Sequence, residues 1–250
     1  MNIEEVSNDN KVFVAKTTRN KVISKSIKPP LINISAAHVL IGLPNAGKSN
    51  LLNSLLLDKN QYKQVFDEIY LICPPSSRDC FGDKSALKMV DPEKTYDDLT
   101  EDNLEEIYHK LVANKEAGDE AGKPRYGCLI IDDCMSCLKN PRVIYFMKKI
   151  LANIRHMHTV CFLTSQLFME IPKPIRNLVR VVYQFKIHSL KERERVHNEI
   201  LPFFEKNEME EFLRYIFDAP FNYFMVDRQY NTVCKNMNTL KIKTIHGEEY

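Results

Sequence analysis

The segment from Gly42 to Ser49 constrains the fold most, because it reads Gly-Leu-Pro-Asn-Ala-Gly-Lys-Ser and matches the pattern GxxxxGK[ST]. The apolar run 36–42 before it is typical of a buried strand, and residues 48–57 after it have a helical pattern. Glycines let such a loop curl around an anion, and the amide groups at the start of the helix point toward that anion. Strand, loop and helix together therefore predict a phosphate-binding loop.

A loop of this kind binds the phosphates of a nucleoside triphosphate. Lys48 is placed to contact the β- and γ-phosphates, and Ser49 is placed to ligate Mg²⁺. The residues predicted to bind the nucleotide are Gly42, Leu43, Pro44, Asn45, Ala46, Gly47, Lys48, Ser49 and Asn50. The alternative, a glycine-bearing turn before an ordinary helix, is disfavoured by the presence of all three parts of the motif.

Further apolar runs alternate with helical patterns along the chain. The predicted strands after the first are 68–73, 127–131, 159–164 and 181–187. Strands that alternate with helices imply right-handed crossovers and a mostly parallel sheet with helices on both faces. We therefore predict an α/β three-layer fold with a small α+β C-terminal tail.

The domain organisation follows from the same patterns. We predict a polar N-terminal extension over 1–30, a core over 31–190, and a C-terminal appendage over 191–250 that packs on the core. The tail should contain helices at about 190–200 and 208–217 and a hairpin formed by 222–227 and 231–235.

Composition excludes several other classes of protein. Hydrophobic residues make up 44% of the chain and charged residues 27%, which is typical of a globular protein. No apolar run approaches the roughly 20 residues that a membrane-spanning helix needs, and residues 1–11 do not resemble a signal peptide. The seven cysteines are scattered, which favours reduced thiols over a disulfide framework. We expect a soluble, cytoplasmic protein that is not secreted and has no membrane partner.

Two acidic residues follow the predicted strand 127–131. A phosphate-binding loop needs a second carboxylate for its metal ion, supplied from the end of a neighbouring strand. Asp132 is predicted to hold Mg²⁺ together with Ser49, and Asp133 to polarise the attacking water. An Asp-Asp pair at a strand end is more often a turn or a helix cap, but the upstream loop favours the metal site.

Gln166 follows the predicted strand 159–164. In additional-strand P-loop ATPases, a strand between the loop strand and the acidic strand ends in a polar residue that senses the γ-phosphate or the lytic water. Gln166 fits this role, since phosphoryl transfer depends on positioning and charge stabilisation. A glutamine that only caps a backbone group is the simpler alternative.

The loop sequence also resembles that of Obg/Era-type GTPases. Such a GTPase needs a guanine-reading Asn-Lys-x-Asp after a strand, where this chain has 163–166, Leu-Thr-Ser-Gln. The Asp-x-x-Gly match at Asp79–Gly82 lies in a polar segment rather than at a strand end. A GTPase switch is therefore the weaker interpretation.

The combination of these motifs resembles the FtsK–HerA superfamily, and within it the DNA-packaging ATPases of nucleo-cytoplasmic large DNA viruses and their virophages. The similarity covers about residues 36–187. It rests on Gly42–Ser49, Leu129–Asp133, Arg155-His156 running into Val160–Gln166, and Ile171-Pro172 with Ile175-Arg176. Many relatives carry Asp-Glu at the acidic strand, whereas this chain has Asp133, with a shorter side chain, at the second position.

This resemblance implies a P-loop NTPase fold of the additional-strand, RecA-like type. It also implies a homo-oligomeric ring, a pentamer or hexamer, that hydrolyses ATP between subunits and threads double-stranded DNA into a capsid with a capsid or portal (vertex) protein as partner. The host-cell virus factory would be the site of action. Arg155 occupies the position of the arginine that reaches the neighbouring subunit's γ-phosphate, with Arg176 and Arg180 as competitors.

The charge is unevenly distributed along the chain. The net charge of +2 would by itself argue against nucleic-acid binding. However, residues 91–120 carry three Lys/Arg against eleven Asp/Glu, and 121–200 carry fourteen against six. The acidic region contains a predicted helix with Asp102 as its N-cap. The basic region holds the candidate DNA-phosphate contacts Lys139, Arg142, Lys148 and Lys149.

Three functions remain open from the sequence. The first is an ATP-driven DNA motor, either a packaging motor or a HerA/FtsK-like translocase that is not dedicated to packaging. The second is the GTPase switch. The third is an assembly protein that nucleotide stabilises without appreciable turnover.

Overall fold

The fold is given by a computed structural model that describes residues 23–79 and 81–242. The strands are β1 (Ala37–Ile41), β2 (Glu68–Ile72), β3 (Thr95–Tyr96), β4 (Gly127–Ile131), β5 (Thr159–Ser165), β6 (Val181–Phe185), β7 (Tyr223–Asp227), β8 (Thr232–Lys235) and β9 (Asn238–Thr239). The helices are α1 (Lys48–Leu57), α2 (Pro75–Arg78), α3 (Glu101–Glu120), α4 (Pro141–Asn153), α5 (Lys173–Arg176), α6 (Leu190–Ile200) and α7 (Lys206–Ile216).

The described strands form one sheet in the order β3-β2-β4-β5-β1-β6-β7-β8-β9. Pairing is parallel from β3 to β6 and antiparallel from β6 to β9. The acidic strand β4 and the loop strand β1 are not neighbours, because β5 lies between them and pairs with both. This is the additional-strand arrangement that the sequence predicts.

Helices cover both faces of the sheet. Leucines of α1 pack on one face with Leu40 and Phe162, and apolar residues of α3, α4, α6 and α7 pack on the other with Val39 and Ile131. Consecutive residues of β1 therefore bury side chains on opposite faces, as expected of a strand between two layers of helices. The predicted α/β three-layer fold is confirmed.

The C-terminal strands continue the main sheet. The predicted hairpin is present as β7 and β8, and β7 pairs directly with β6 of the core. The domain ranges remain a prediction, and the greater part of the predicted extension, residues 1–22, lies outside the described residues.

One local prediction is wrong. Helix α3 begins at Glu101, and its N-cap is Thr100, whose hydroxyl accepts a hydrogen bond from the Asn103 amide. The predicted N-cap, Asp102, lies in the first turn of the helix. Its negative charge there interacts favourably with the positive end of the helix dipole.

Candidate nucleotide-binding site

The predicted phosphate-binding loop connects β1 to α1 at the carboxyl edge of the parallel strands. Gly47 is the N-cap of α1 and has φ 107°, a left-handed conformation that glycine adopts without steric cost. Gly42 lies so near β6 that a Cβ there would be 2.8 Å from Cβ of Phe185. Each glycine is therefore required by its geometry, and the amides at the start of α1 face outward as an anion site.

Lys48 is the first residue of α1 and lies among carboxylates. Its Nζ donates hydrogen bonds to the carbonyl oxygens of Gly42, at 2.5 Å, and Leu43, at 3.1 Å. Partial burial lowers the pKa of Lys48, and the nearby negative charges of Asp132, Asp133 and Glu170 oppose that shift. The structure thus brings the loop lysine and the predicted acidic pair to one site.

Asp132 comes directly after β4 and is only 6% exposed. Its Oδ1 accepts a hydrogen bond of 2.6 Å from the Thr164 hydroxyl, and its Oδ2 lies 4.0 Å from Cys73 Sγ. Burial raises the pKa of Asp132, and the bond from Thr164 opposes the shift. A buried carboxylate that faces an ammonium group is well suited to a cation.

These residues fit a magnesium ion bound together with nucleotide. Mg²⁺ prefers oxygen ligands, keeps several waters, and is usually held by one or two protein groups plus substrate phosphates. Asp132 offers Oδ2, which among the described residues accepts only a weak hydrogen bond of 4.0 Å from the Cys73 thiol, and Ser49 offers a hydroxyl on the exposed start of α1. The metal site itself stays a prediction.

Asp133 is exposed and has φ 57°, in the left-handed region. Its carboxylate accepts a hydrogen bond of 2.8 Å from the Ser77 hydroxyl, and its amide donates to Thr164 Oγ1 at 3.1 Å. A strained backbone held by two hydrogen bonds is typical of a functional position. Asp133 therefore reaches solvent beside Asp132, as a residue that orients water must.

Thr164 and Ser77 were not among the predicted site residues. Register explains Thr164, since Leu163 pairs with Ile131 and the next residues, Thr164 and Asp132, then face each other. Thr164 near the carboxyl end of β5 and Ser77 in α2, which follows β2, were the available signal, because the carboxyl ends of these parallel strands meet at one edge of the sheet.

Gln166 directly follows β5 at the same edge of the sheet. Its side chain is exposed, and no side-chain hydrogen bond restrains it within residues 23–79 and 81–242. Glu170, four residues later, accepts hydrogen bonds from the Leu167 amide at 3.3 Å and the Ser165 hydroxyl at 3.2 Å. Glu170 was also missed by the sequence analysis, although its charge acts on Lys48.

Comparison with known proteins gives structural matches alone. No protein-family model and no curated protein matches the sequence. The genome packaging NTPase B204 from Sulfolobus turreted icosahedral virus 2, in complex with ATP-gammaS, superposes with a TM-score of 0.52 at 16% identity, covering 82% of this chain and 98% of that chain. The chain has the fold of a P-loop NTPase.

Two further ATPase structures share this P-loop NTPase fold. EssC (ATPases 2 and 3) from Geobacillus thermodenitrificans has a TM-score of 0.51 at 11% identity, covering 82% of this chain and 39% of that one. The cytoplasmic domain of the type VII secretion ATPase EccC from Thermomonospora curvata has a TM-score of 0.54 at 12% identity, covering 87% and 27%. At these identities the likeness shows the fold alone.

Arg155 lies at the opposite edge of the P-loop NTPase sheet. It is exposed in the turn between α4 and β5, at the amino end of β5, whereas the phosphate loop lies at the carboxyl ends. Seven residues of strand, at about 3.3 Å each, separate the two edges by about 20 Å. Arg155 therefore cannot reach the phosphate loop of its own chain.

The two competing arginines are held by ion pairs within the chain. Arg176 is buried, makes two hydrogen bonds of 2.9 Å to Glu199 and donates to the Ile171 carbonyl. Arg180 makes a paired contact with Asp227, at 2.9 and 2.7 Å, and only 14% of its side chain is exposed. Of the three candidates, Arg155 is exposed, Arg176 is buried and Arg180 is half-buried.

The four candidate DNA contacts lie on or just before α4, beside the acidic helix α3. Arg142 forms an ion pair of 3.3 Å with Glu101, and the Lys149 ammonium lies 4.1 Å from the ring centroid of Tyr108. Lys139 and Lys148 are exposed and form no ion pair within the described part of the chain. Two of the four cations are therefore engaged by α3, and DNA contact stays a prediction for all four.

Among the helices of residues 23–79 and 81–242, none combines the length and the apolar character needed to span a bilayer.

Proposed function

We propose that the protein is a Mg²⁺-dependent ATPase of the FtsK–HerA type that translocates double-stranded DNA and packages a viral genome. The observation that carries the proposal is the position of Lys48 opposite Asp132 and Asp133, with β5 and its polar end inserted between β1 and β4. The shared fold adds support, since B204 is described as a genome packaging NTPase and its structure contains ATP-gammaS.

Each site residue has a proposed part in hydrolysis. The loop amides and Lys48 bind the β- and γ-phosphates, and Ser49 and Asp132 hold Mg²⁺. When bound by Ser49 and Asp132, Mg²⁺ would supply positive charge next to the phosphate oxygens. Asp133, held by Ser77, orients the attacking water, and Gln166 senses the γ-phosphate.

The proposed assembly is a homo-oligomeric ring, a pentamer or hexamer, with ATP bound between subunits. Arg155 of one subunit would reach the nucleotide of the next, because it is exposed and lies too far from its own phosphate loop. Double-stranded DNA would pass through the ring and a capsid or vertex protein would anchor it, in a host-cell virus factory. A HerA/FtsK-like translocase outside packaging would use the same site.

Mixing variant subunits tests this proposal. Lys48→Ala and Arg155→Ala should each reduce ATP turnover at least tenfold, since each removes a cation from the phosphates. A mixture of the two variants should recover part of the turnover, because some interfaces then combine an intact loop with an intact arginine. Arg214→Ala, at an exposed position on α7, is the matched control and should retain wild-type turnover.

The outcomes separate the parts of the proposal. Wild-type turnover in Lys48→Ala would contradict an ATPase at this site. Strong losses in both variants without recovery on mixing would contradict catalysis shared between subunits.

A further inference from the structure

A cavity of about 500 Å³ opens beside the phosphate loop. Loop residues 43–46 form one wall, Phe185 and Lys186 at the end of β6 form the floor, and residues 217–222 between α7 and β7 form the opposite wall. The volume lies within the range of about 300–1,000 Å³ that small-molecule sites occupy. The cavity is thus large enough for a nucleoside and continuous with the loop that holds the phosphates.

Phe221 is the most exposed phenylalanine side chain among the residues that line this cavity. It is 69% exposed, and its φ of 64° is in the left-handed region, which bulky residues rarely adopt. Its ring approaches the phosphate loop, because a Cβ on Gly47 would lie 3.6 Å from Phe221 Cδ1. The backbone therefore holds an exposed aromatic ring in an uncommon conformation at the mouth of the loop.

We propose that this cavity binds the purine base of the nucleotide and that Phe221 provides the stacking surface, an inference that rests on the proposed ATPase function. The phosphates would bind to the backbone amides at the start of α1. Residues 43–46 belong to the phosphate loop and also line the cavity, so the base and the phosphates would bind next to each other. Aromatic side chains stack on bases through the π-face that every base presents.

Among the described residues that line the cavity, Asp218 is the one carboxylate, and two neighbours hold it in place. Such a carboxylate can accept a hydrogen bond from the exocyclic amino group of adenine or of guanine. Both oxygens of Asp218 are already engaged, Oδ2 by Lys235 Nζ at 2.7 Å and Oδ1 by Asn222 Nδ2 at 2.7 Å. A carboxylate accepts about four hydrogen bonds, so these two fix the orientation of Asp218 and leave it able to accept from the amino group of either base.

Paired binding measurements test the inference. The dissociation constants of ATP, GTP and inorganic tripolyphosphate are measured by calorimetry at one free Mg²⁺ concentration, for the wild type and Phe221→Ala. Phe221→Ala should weaken ATP binding about tenfold and leave tripolyphosphate binding unchanged, because the base is the part of the nucleotide that stacks on the ring. Phe221→Tyr should restore ATP binding, and Phe221→Ala should weaken GTP binding as it weakens ATP binding, because stacking uses the π-face of either base.

Tyr145→Ala is the matched control, since Tyr145 is 63% exposed on α4 and does not line the cavity. It should leave the binding of all three ligands unchanged. Unaltered ATP binding in Phe221→Ala, or an equal loss for ATP and tripolyphosphate, would overturn the base site and leave the proposed function standing. A wild type that binds neither ATP nor tripolyphosphate would overturn the proposed function itself, and the base site with it.

Discussion

Thr164 connects the two acidic residues of the site. Its hydroxyl donates to Asp132 Oδ1 and accepts from the Asp133 amide, so one side chain fixes the orientation of the metal-binding carboxylate and of the residue after it. Because Asp132 is buried, the bond from Thr164 also favours its ionised form.

Thr164→Val should impair catalysis and stability together. Loss of the hydroxyl raises the pKa of Asp132 further, so the acid limb of the pH–rate profile should move to higher pH and turnover should fall most at low pH. The unsatisfied carboxylate should cost about 1–3 kcal/mol of unfolding free energy. This loss should be largest at neutral pH and shrink as Asp132 becomes protonated.

To test this, ATP turnover is measured from pH 5 to 9 for the wild type and Thr164→Val. Chemical denaturation at pH 5 and pH 9 gives their unfolding free energies. Thr164→Ser keeps the hydroxyl and should behave like the wild type. An unshifted acid limb in Thr164→Val would show that Thr164 does not act on Asp132.

The sequence predicted the site residues that belong to contiguous motifs. It missed the residues that only tertiary structure brings to the site. Lys48, Asp132 and Asp133 could be identified because a strand or a loop motif precedes each. Thr164 and Phe221 could not, because one depends on strand register and the other on a loop that returns from the end of α7.

Helix α6 anchors the segment that follows β5. Glu192 is only 3% exposed and accepts a hydrogen bond from the Phe168 amide. Burial raises the pKa of Glu192, and backbone amides of Phe168 and Met169 oppose the shift. The tail thus holds the loop that carries Gln166 and Glu170.

Glu192→Ala should lower the melting temperature by several degrees, because a buried amide loses its acceptor at a cost of about 1–3 kcal/mol. It should also lower kcat with little change in KM, since the loop that carries Gln166 is no longer anchored. Steady-state kinetics below the melting temperature measure this effect. Glu194→Ala, at an exposed position of the same helix, is the matched control. A lower melting temperature with unchanged kcat would mean that Glu192 only stabilises the fold.

The sequence predicted the strands with a buried core pattern and most of the helices. Continuous apolar runs revealed the strands because the core lies on both faces of the sheet, and hydrophobic periodicity revealed the helices. It did not predict β3 and β9, which have two residues each and no periodicity to detect. It also did not predict that the tail joins the main sheet, because strand pairing depends on contacts distant in sequence.

The charge segregation seen along the chain is partly cancelled in the folded molecule. The acidic α3 packs beside the basic α4, where Arg142 pairs with Glu101. A basic surface separate from the acidic helix is therefore not formed by α4 alone. Lys139 and Lys148 remain exposed and available to DNA phosphates.

The central claim, an ATPase coupled to DNA, is tested most directly by ATP turnover with and without duplex DNA at low and high salt. We expect duplex DNA of any sequence to stimulate turnover, and to do so more strongly at low salt, because phosphate contacts weaken steeply as salt rises. Lys48→Ala provides the background rate. Turnover that duplex DNA does not change at any salt concentration would contradict a DNA motor.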